Sequence, residues 1–216
     1  MIVLDIETSG LDFVKNGIWQ IAAIDMKSGK QFISEGRIDD EDEILMSADP
    51  RSIYPAKSVL EIVGKTEDQL KDKKKQSQKE LIQEFFRWLE NLEERNFICQ
   101  NPQFDWGFLT VKARKYGLKI PYHHRSFDIH SIAQTKYFQI KGKFLMDGNH
   151  SGMNLTKVLK FCGMKDERKK HNALEDAKLT AECFSRLIHG KNLFKEFDKS
   201  KVPDYLEEKT GGFLAE

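Results

Sequence analysis

The chain has 216 residues, 39% hydrophobic and 32% charged, with a formal net charge of +1. That length suffices for one domain with a sizeable core, and no run approaches the roughly 20 apolar residues needed to cross a bilayer, so no membrane-spanning role is expected. The near-neutral total gives by itself no electrostatic reason for a polyanionic partner. Lysines do gather at 71–79, 165–170 and 191–201, each run also reading simply as solvated surface.

Residues 2–4 lead from Met1 straight into Asp5 and Glu7, which leaves no room for a secretory leader, and a cytoplasmic protein is expected. Cys99, Cys162 and Cys183 are odd in number and lack CxxC spacing, as expected of buried thiols in a reducing compartment. Along the first 38 residues the pattern predicts three strands in an antiparallel meander. The first ends at Gly10, and period-two alternation puts Val3, Asp5 and Glu7 on one face. The second covers 18–24, a turn falls at Ser28-Gly29, and the third covers 31–38. The acidic stretch 39–49, followed by Pro50 and Pro55, reads as irregular connection.

Ser77 with Glu80 has capping-box spacing, and Leu81, Ile82, Phe85, Phe86, Leu89 and Leu92 follow at helical intervals. A short strand over 97–100 comes next. Asn101-Pro102 then supplies an N-cap and a proline at the first helical position. Asp105 therefore falls on the first turn of a helix that runs to about Tyr116 and stops at Gly117. Residues 127–137 read as another helix and 141–152 as a surface loop. Asn154 caps a short helix with Leu155, Val158, Leu159 and Cys162. Asn172 with Glu175 opens a last long helix, whose apolar stripe is Leu174, Ala177, Ala181, Phe184 and Ile188. Residues after about 190 carry weaker signals. Strands first and then helices alternating with strands indicate an α/β layered fold with a mixed sheet.

The residues with chemistry to offer are Asp5, Glu7, Asp105, His171 and Asp176. On one continuous helix His171 and Asp176 would stand about 140° apart. The capping signal at Asn172 instead places His171 in the loop before the helix, so both reach one site. Clustered carboxylates raise one another's pKa or push apart unless cations neutralise them, and hard divalent cations with oxygen ligands are the natural answer. Such a cluster suits metal-assisted hydrolysis of a phosphodiester, with histidine taking the proton of the attacking water near neutral pH. Gly64-Lys65-Thr66 is like the end of a phosphate-binding loop, but Val59 stands where that pattern needs glycine. His123, His124, His130 and His150 have no ligand spacing.

Asp5-Ile6-Glu7-Thr8-Ser9-Gly10-Leu11, the segment 101–109 and His171-Asn172-Ala173-Leu174-Glu175-Asp176-Ala177 together resemble, in order and spacing, the three motifs of the DEDD-type 3′-5′ exonucleases, in the branch ending His-x4-Asp (DEDDh). The resemblance covers about residues 1–190, the expected exonuclease domain. It implies a ribonuclease H-like mixed five-stranded sheet flanked by helices, with 191–216 a C-terminal extension packed on the domain or used for docking. It also implies two Mg²⁺ or Mn²⁺ ions, with Asp5 bridging them, Glu7 and Asp176 completing one shell, and Asp105 holding the second ion largely through water. His171 would be the general base, and Thr8 and Leu11 would contact the terminal nucleotide. Phe104, Trp106 and Phe108 flank Asp105, and one of them, Phe104 foremost, is a candidate for stacking on a base; core packing is the alternative for Phe104 and Phe108, as it is for Leu11. The expected activity is release of nucleoside 5′-monophosphates from the 3′ end of single-stranded DNA, for proofreading or repair. RNA is the rival substrate, since no motif identifies a partner for a 2′-hydroxyl. A silent nucleic-acid-binding module is the other reading. A polymerase or replication partner could dock on the tail, through Phe194, Phe197, Tyr205, Leu206, Phe213 and Leu214.

Overall fold

The computed structural model describes residues 1–46 and 58–207, so Pro50 and Pro55 of the expected connection and Phe213 and Leu214 of the tail lie outside the described residues. Strands β1 (Ile2–Thr8), β2 (Ile18–Asp25), β3 (Gln31–Glu35), β4 (Phe97–Cys99) and β5 (Ser126–Asp128) form one sheet in the order β3-β2-β1-β4-β5. The first three make the expected antiparallel meander, with Asp5 opposite Ala22 and Glu7 opposite Gln20. β4 joins β1 in parallel through the pairs Ile2–Phe97 and Val3–Ile98. The sheet is mixed and flanked by helices, as the α/β reading requires.

β1 is a central strand, and alternation divides its side chains. Ile2, Leu4 and Ile6 join a core with Leu81, Ile82, Phe85, Phe86 and Leu89 of α3 (Gln78–Glu90) and with Phe108, Leu109 and Ala113 of α4 (Pro102–Lys115). Val3, Asp5 and Glu7 take the other face. Helix α3 starts where expected: Ser77 accepts from the Glu80 N–H while the Glu80 carboxylate accepts from the Ser77 N–H. Gly64-Lys65-Thr66 is a joint between two short helices, α1 (Val59–Val63) and α2 (Glu67–Leu70), with Gly64 at φ 66° ending one and Thr66 capping the other.

Several elements differ from expectation. The third strand stops at Glu35, because Arg37 and Ile38 donate instead to the Gln76 and Leu70 carbonyls. Phe127 belongs to β5, and α5 (Ile129–Lys141) begins only after Asp128, whose side chain accepts from the His130 N–H. The expected surface loop contains a two-stranded ribbon, β6 (Met146–Asp147) and β7 (His150–Ser151). Asn154 caps α6 (Leu155–Phe161) as expected. The lysines of 71–79 are partly paired, Lys71 with Glu67, Lys73 with Asp40 and Lys75 with Glu35, which fits the solvated-surface reading.

The last helix, α7 (Ala173–His189), has Leu174 and Glu175 N–H groups capped by Asn172 Oδ1 at 3.1 and 3.2 Å. Its burial departs from a simple stripe: Ile188 is exposed, whereas Thr180, Glu182, Ser185 and Arg186 are buried. Arg186 pairs with Glu182 at 2.8 Å and donates to the Cys162, Phe197 and Ser200 carbonyls, while Glu182 accepts from the Leu193 and Phe194 N–H groups. Buried charges persist only when paired and fully hydrogen-bonded, and this pair binds the chain after α7 by its backbone.

The chain divides into two compact units, Met1–Phe127 with Arg168–Lys178, and Asp128–Glu167 with Leu179–Glu216. Asp5, Glu7, Asp105, His171 and Asp176 all belong to the first. Cys99, Cys162 and Cys183 are buried thiols. Among the described residues, no helix is long and apolar enough to cross a membrane.

Candidate active site

The first motif places its acids by strand alternation and its loop by hydrogen bonds. After Thr8 the chain leaves the sheet and returns at Ile18. Ser9 Oγ donates to the Glu43 carbonyl at 2.6 Å and accepts from the Gly17 N–H at 2.8 Å. Asn16 accepts from the Asp12 N–H at 2.9 Å and donates to the Glu43 carbonyl at 2.8 Å. Gly10 is required here, since a Cβ would overlap the Asn16 side chain. Lys112 donates to the Val14 carbonyl at 3.1 Å and pairs with buried Asp42 at 2.9 Å, tying the loop to α4. Held in this way, the loop presents Leu11, 54% exposed and therefore no core leucine. The Thr8 hydroxyl donates to the Gly10 carbonyl at 2.6 Å.

Asp105 is buried on the first turn of α4. Asn101 is in the cap position but at φ 67°, and its side chain is not the cap; Pro102 holds the first helical position, where a missing N–H costs nothing. The left-handed residue turns the chain sharply out of β4. Because the pairing of β4 with β1 ends at Val3, the Ile6 N–H is available to the Asp105 carboxylate, which also accepts from the Cys99 thiol. Phe104 is half-buried, its ring 4.9 Å from Phe108 and 6.3 Å from Phe13, so it packs against the core cluster without being fully enclosed by it.

His171 lies before α7, as the capping signal implied, and Asp176 on that helix's first turn. The His171 Nδ1 is 3.3 Å from Asp176 Oδ2. Ligand atoms of Glu7, His171 and Asp176 all fall within 4.8 Å of one another. Asp5 and Asp105 join them electrostatically, since the Asp105, Glu7 and Asp176 charges all act on Asp5.

The charge state reflects this crowding. Burial, and then the neighbouring Asp105, Glu7 and Asp176 charges, hold the Asp5 carboxyl well above the usual carboxylate range. Burial pushes Glu7 up to about 7, against the opposing pull of His171. Burial pushes Asp105 up to about 8, although hydrogen bonds from its own and the Ile6 N–H and from Cys99 draw it down. The hydrogen bond to Asp176 raises His171.

A hard divalent cation fits these residues. Glu7 Oε1 is buried with no hydrogen-bond partner among the described residues, a costly state for a carboxylate oxygen unless a ligand meets it. The donor set is rich in oxygen, as Mg²⁺ or Mn²⁺ prefers. Two participants were not legible from the sequence. One is Cys99, which appears there only as a buried thiol. The other is Arg168, whose Nη1 donates to Asp176 Oδ1 at 2.8 Å. Its one signal is that it is an arginine, a fork suited to carboxylates, just before the third motif.

A mixed sheet whose central strand carries two carboxylates, met by an aspartate from a following helix and by a His-x4-Asp pair, defines a class of metal-dependent nucleases. The chain belongs to the ribonuclease T family, whose model, described as exonuclease, matches residues 2–184. It is 31% identical over 190 residues to a PolC-type DNA polymerase III of Thermotoga petrophila, an alignment covering 87% of this chain and 12% of the polymerase. The chain thus spans about one eighth of that relative's length. To ribonuclease T of Vibrio parahaemolyticus it is 23% identical over 198 residues, covering 87% of this chain and 85% of that protein. Among solved structures, the nuclease domain of 3′hExo, a DEDDh family member bound to rAMP, shares the fold with a TM-score of 0.61 at 16% identity, over 94% of this chain and 95% of that one. So does Escherichia coli exonuclease I in complex with a dT13 oligonucleotide, with a TM-score of 0.60 at 15% identity, over 86% of this chain and 40% of that one.

Proposed function

We propose that this chain is a metal-dependent 3′-5′ exonuclease that releases nucleoside 5′-monophosphates from single-stranded DNA. The observation that carries the reading is the meeting of ligand atoms of Glu7, His171 and Asp176 within 4.8 Å, with the Asp5 charge felt beside them and a Glu7 oxygen that has no hydrogen-bond partner among the described residues. Asp5, Glu7, Asp105 and Asp176 would hold two Mg²⁺ or Mn²⁺ ions, which when bound polarise the phosphodiester and stabilise the charge that develops on it. His171, half-exposed and oriented by Asp176, takes the proton of the attacking water and passes it to solvent. Leu11 wedges against the terminal base, Thr8 lies beside it, and half-buried Phe104 completes the pocket wall.

DNA is favoured by the likeness to PolC-type polymerases, and RNA remains the second reading because ribonuclease T is also similar along most of its length. Residues 1–190 serve as the exonuclease domain, and 191–216 as an extension that packs on it or docks a polymerase. Three buried thiols suit a cytoplasmic, reducing setting. The test is the rate of mononucleotide release from matched DNA and RNA strands by the wild type and Asp176→Ala. Release by the wild type, faster on DNA and absent in a variant with an unchanged circular dichroism spectrum, is expected. An unchanged rate in Asp176→Ala would sink the assignment.

A further inference from the structure

Both oxygens of Asp176 are engaged within the protein, Oδ1 by Arg168 Nη1 at 2.8 Å and Oδ2 by His171 at 3.3 Å. The pair with Arg168 is largely hidden, the two side chains being 12% and 4% exposed. A charge-assisted bond there is strong, because little water screens it. It is also directed at a carboxylate that the proposed function needs for a cation. A guanidinium and a divalent ion drawing on the same small group of oxygens repel each other, so the two compete.

The mechanical setting differs for the two partners. Asp176 is fixed in the first turn of α7, whereas Arg168 lies in an irregular stretch between α6 and α7. The arginine can withdraw without unwinding a helix. Its charge also acts on Asp5 and Glu7, so it offsets repulsion across the cluster and not at one carboxylate alone.

We propose that Arg168 is a displaceable counter-ion, which holds Asp176 in place in the metal-free protein and gives way when a divalent cation binds. The proposal rests on the metal-site reading above. It makes Arg168 a positioning residue that sets how tightly the site holds its metal. A merely structural ion pair would behave differently, since its loss would leave metal affinity unchanged or weaken it.

The test is titration of Mn²⁺ into metal-free wild type, R168Q and R168K, with heat or free-Mn²⁺ paramagnetic resonance as the readout. In R168Q the tightest site is expected to bind about tenfold more tightly, equivalent to about 1.4 kcal/mol. The melting temperature of this variant in EDTA should fall, since Asp176 loses its counter-ion. R168K keeps the charge but loses the planar fork, and its affinity should lie between the two. Equal or weaker Mn²⁺ binding in R168Q overturns the proposal. Should R168Q fail to fold, R168K decides alone, and binding no tighter than wild type overturns it. Wild type that binds no Mn²⁺ refutes the metal-site reading itself, an outcome distinct from binding that the variants leave unchanged.

Discussion

Glu7→Gln should make the metal-free protein more stable while destroying the site. Glu7 is 8% exposed, and burial beside other acids pushes its carboxyl from 4.5 to about 7. Where a folded carboxyl has the higher pKa, the unfolded chain releases its proton first as pH rises. Stability from this group is therefore full below about 4.5 and is lost as pH climbs through about 7. At about 1.36 kcal/mol per pH unit the loss reaches about 3 kcal/mol by pH 8. Glutamine keeps the volume and carries no charge. In EDTA at pH 8 the variant should gain about 3 kcal/mol, or about 6 to 12 °C in melting temperature for a chain of this size. At pH 4 it should gain almost nothing. Saturating Mg²⁺ should shrink the difference at pH 8, because cations stabilise the wild-type cluster more than one that lacks the Glu7 carboxylate. Thermal melts at both pH values, with and without Mg²⁺, read all of this. A variant no more stable than wild type in EDTA at pH 8 would refute the view that the ionised Glu7 carboxylate is held in place against the cost of its burial.

Other perturbations separate chemistry from folding. His171→Ala should lower the turnover rate by about 10² to 10⁴, the usual contribution of a positioned base; a loss under tenfold in single-turnover assays would remove it from that role. Leu11→Ala should change stability by no more than about 0.5 kcal/mol, as for most exposed sites, yet raise the KM for single strands, and an unchanged KM would argue against the wedge. Lys112→Met leaves buried Asp42 with one paired cation among the described residues, Lys115 at 3.1 Å, beside the neutral Gln78 amide that donates to its other oxygen, and should cost about 3 kcal/mol in urea denaturation. A cost under about 1 kcal/mol there would show that the loop is not held through that pair.

Much of the site is readable because its placement is local. Alternation alone puts Asp5 and Glu7 on one face, a proline after Asn101 fixes the helix start below Asp105, and the Asn172 cap frees His171. What escapes is set by distant partners or by segments too short to show a period. β5 has three residues, and no alternation is visible in so few. The third strand ends early because Arg37 and Ile38 find carbonyls more than 30 residues away. Polar residues within α7 look like its solvent face until Glu182 and Arg186 are seen binding the backbone after it. Arg168 hides in a lysine-rich run, and only the fold shows that it meets Asp176.

The exonuclease assignment is tested most directly by digestion of a 5′-labelled single-stranded DNA in Mg²⁺, with EDTA and Asp176→Asn as parallel controls. A ladder that shortens one nucleotide at a time from the 3′ end is expected, present only with wild type and metal. Internal cuts, shortening that survives EDTA, or an intact strand bound without cleavage would contradict it.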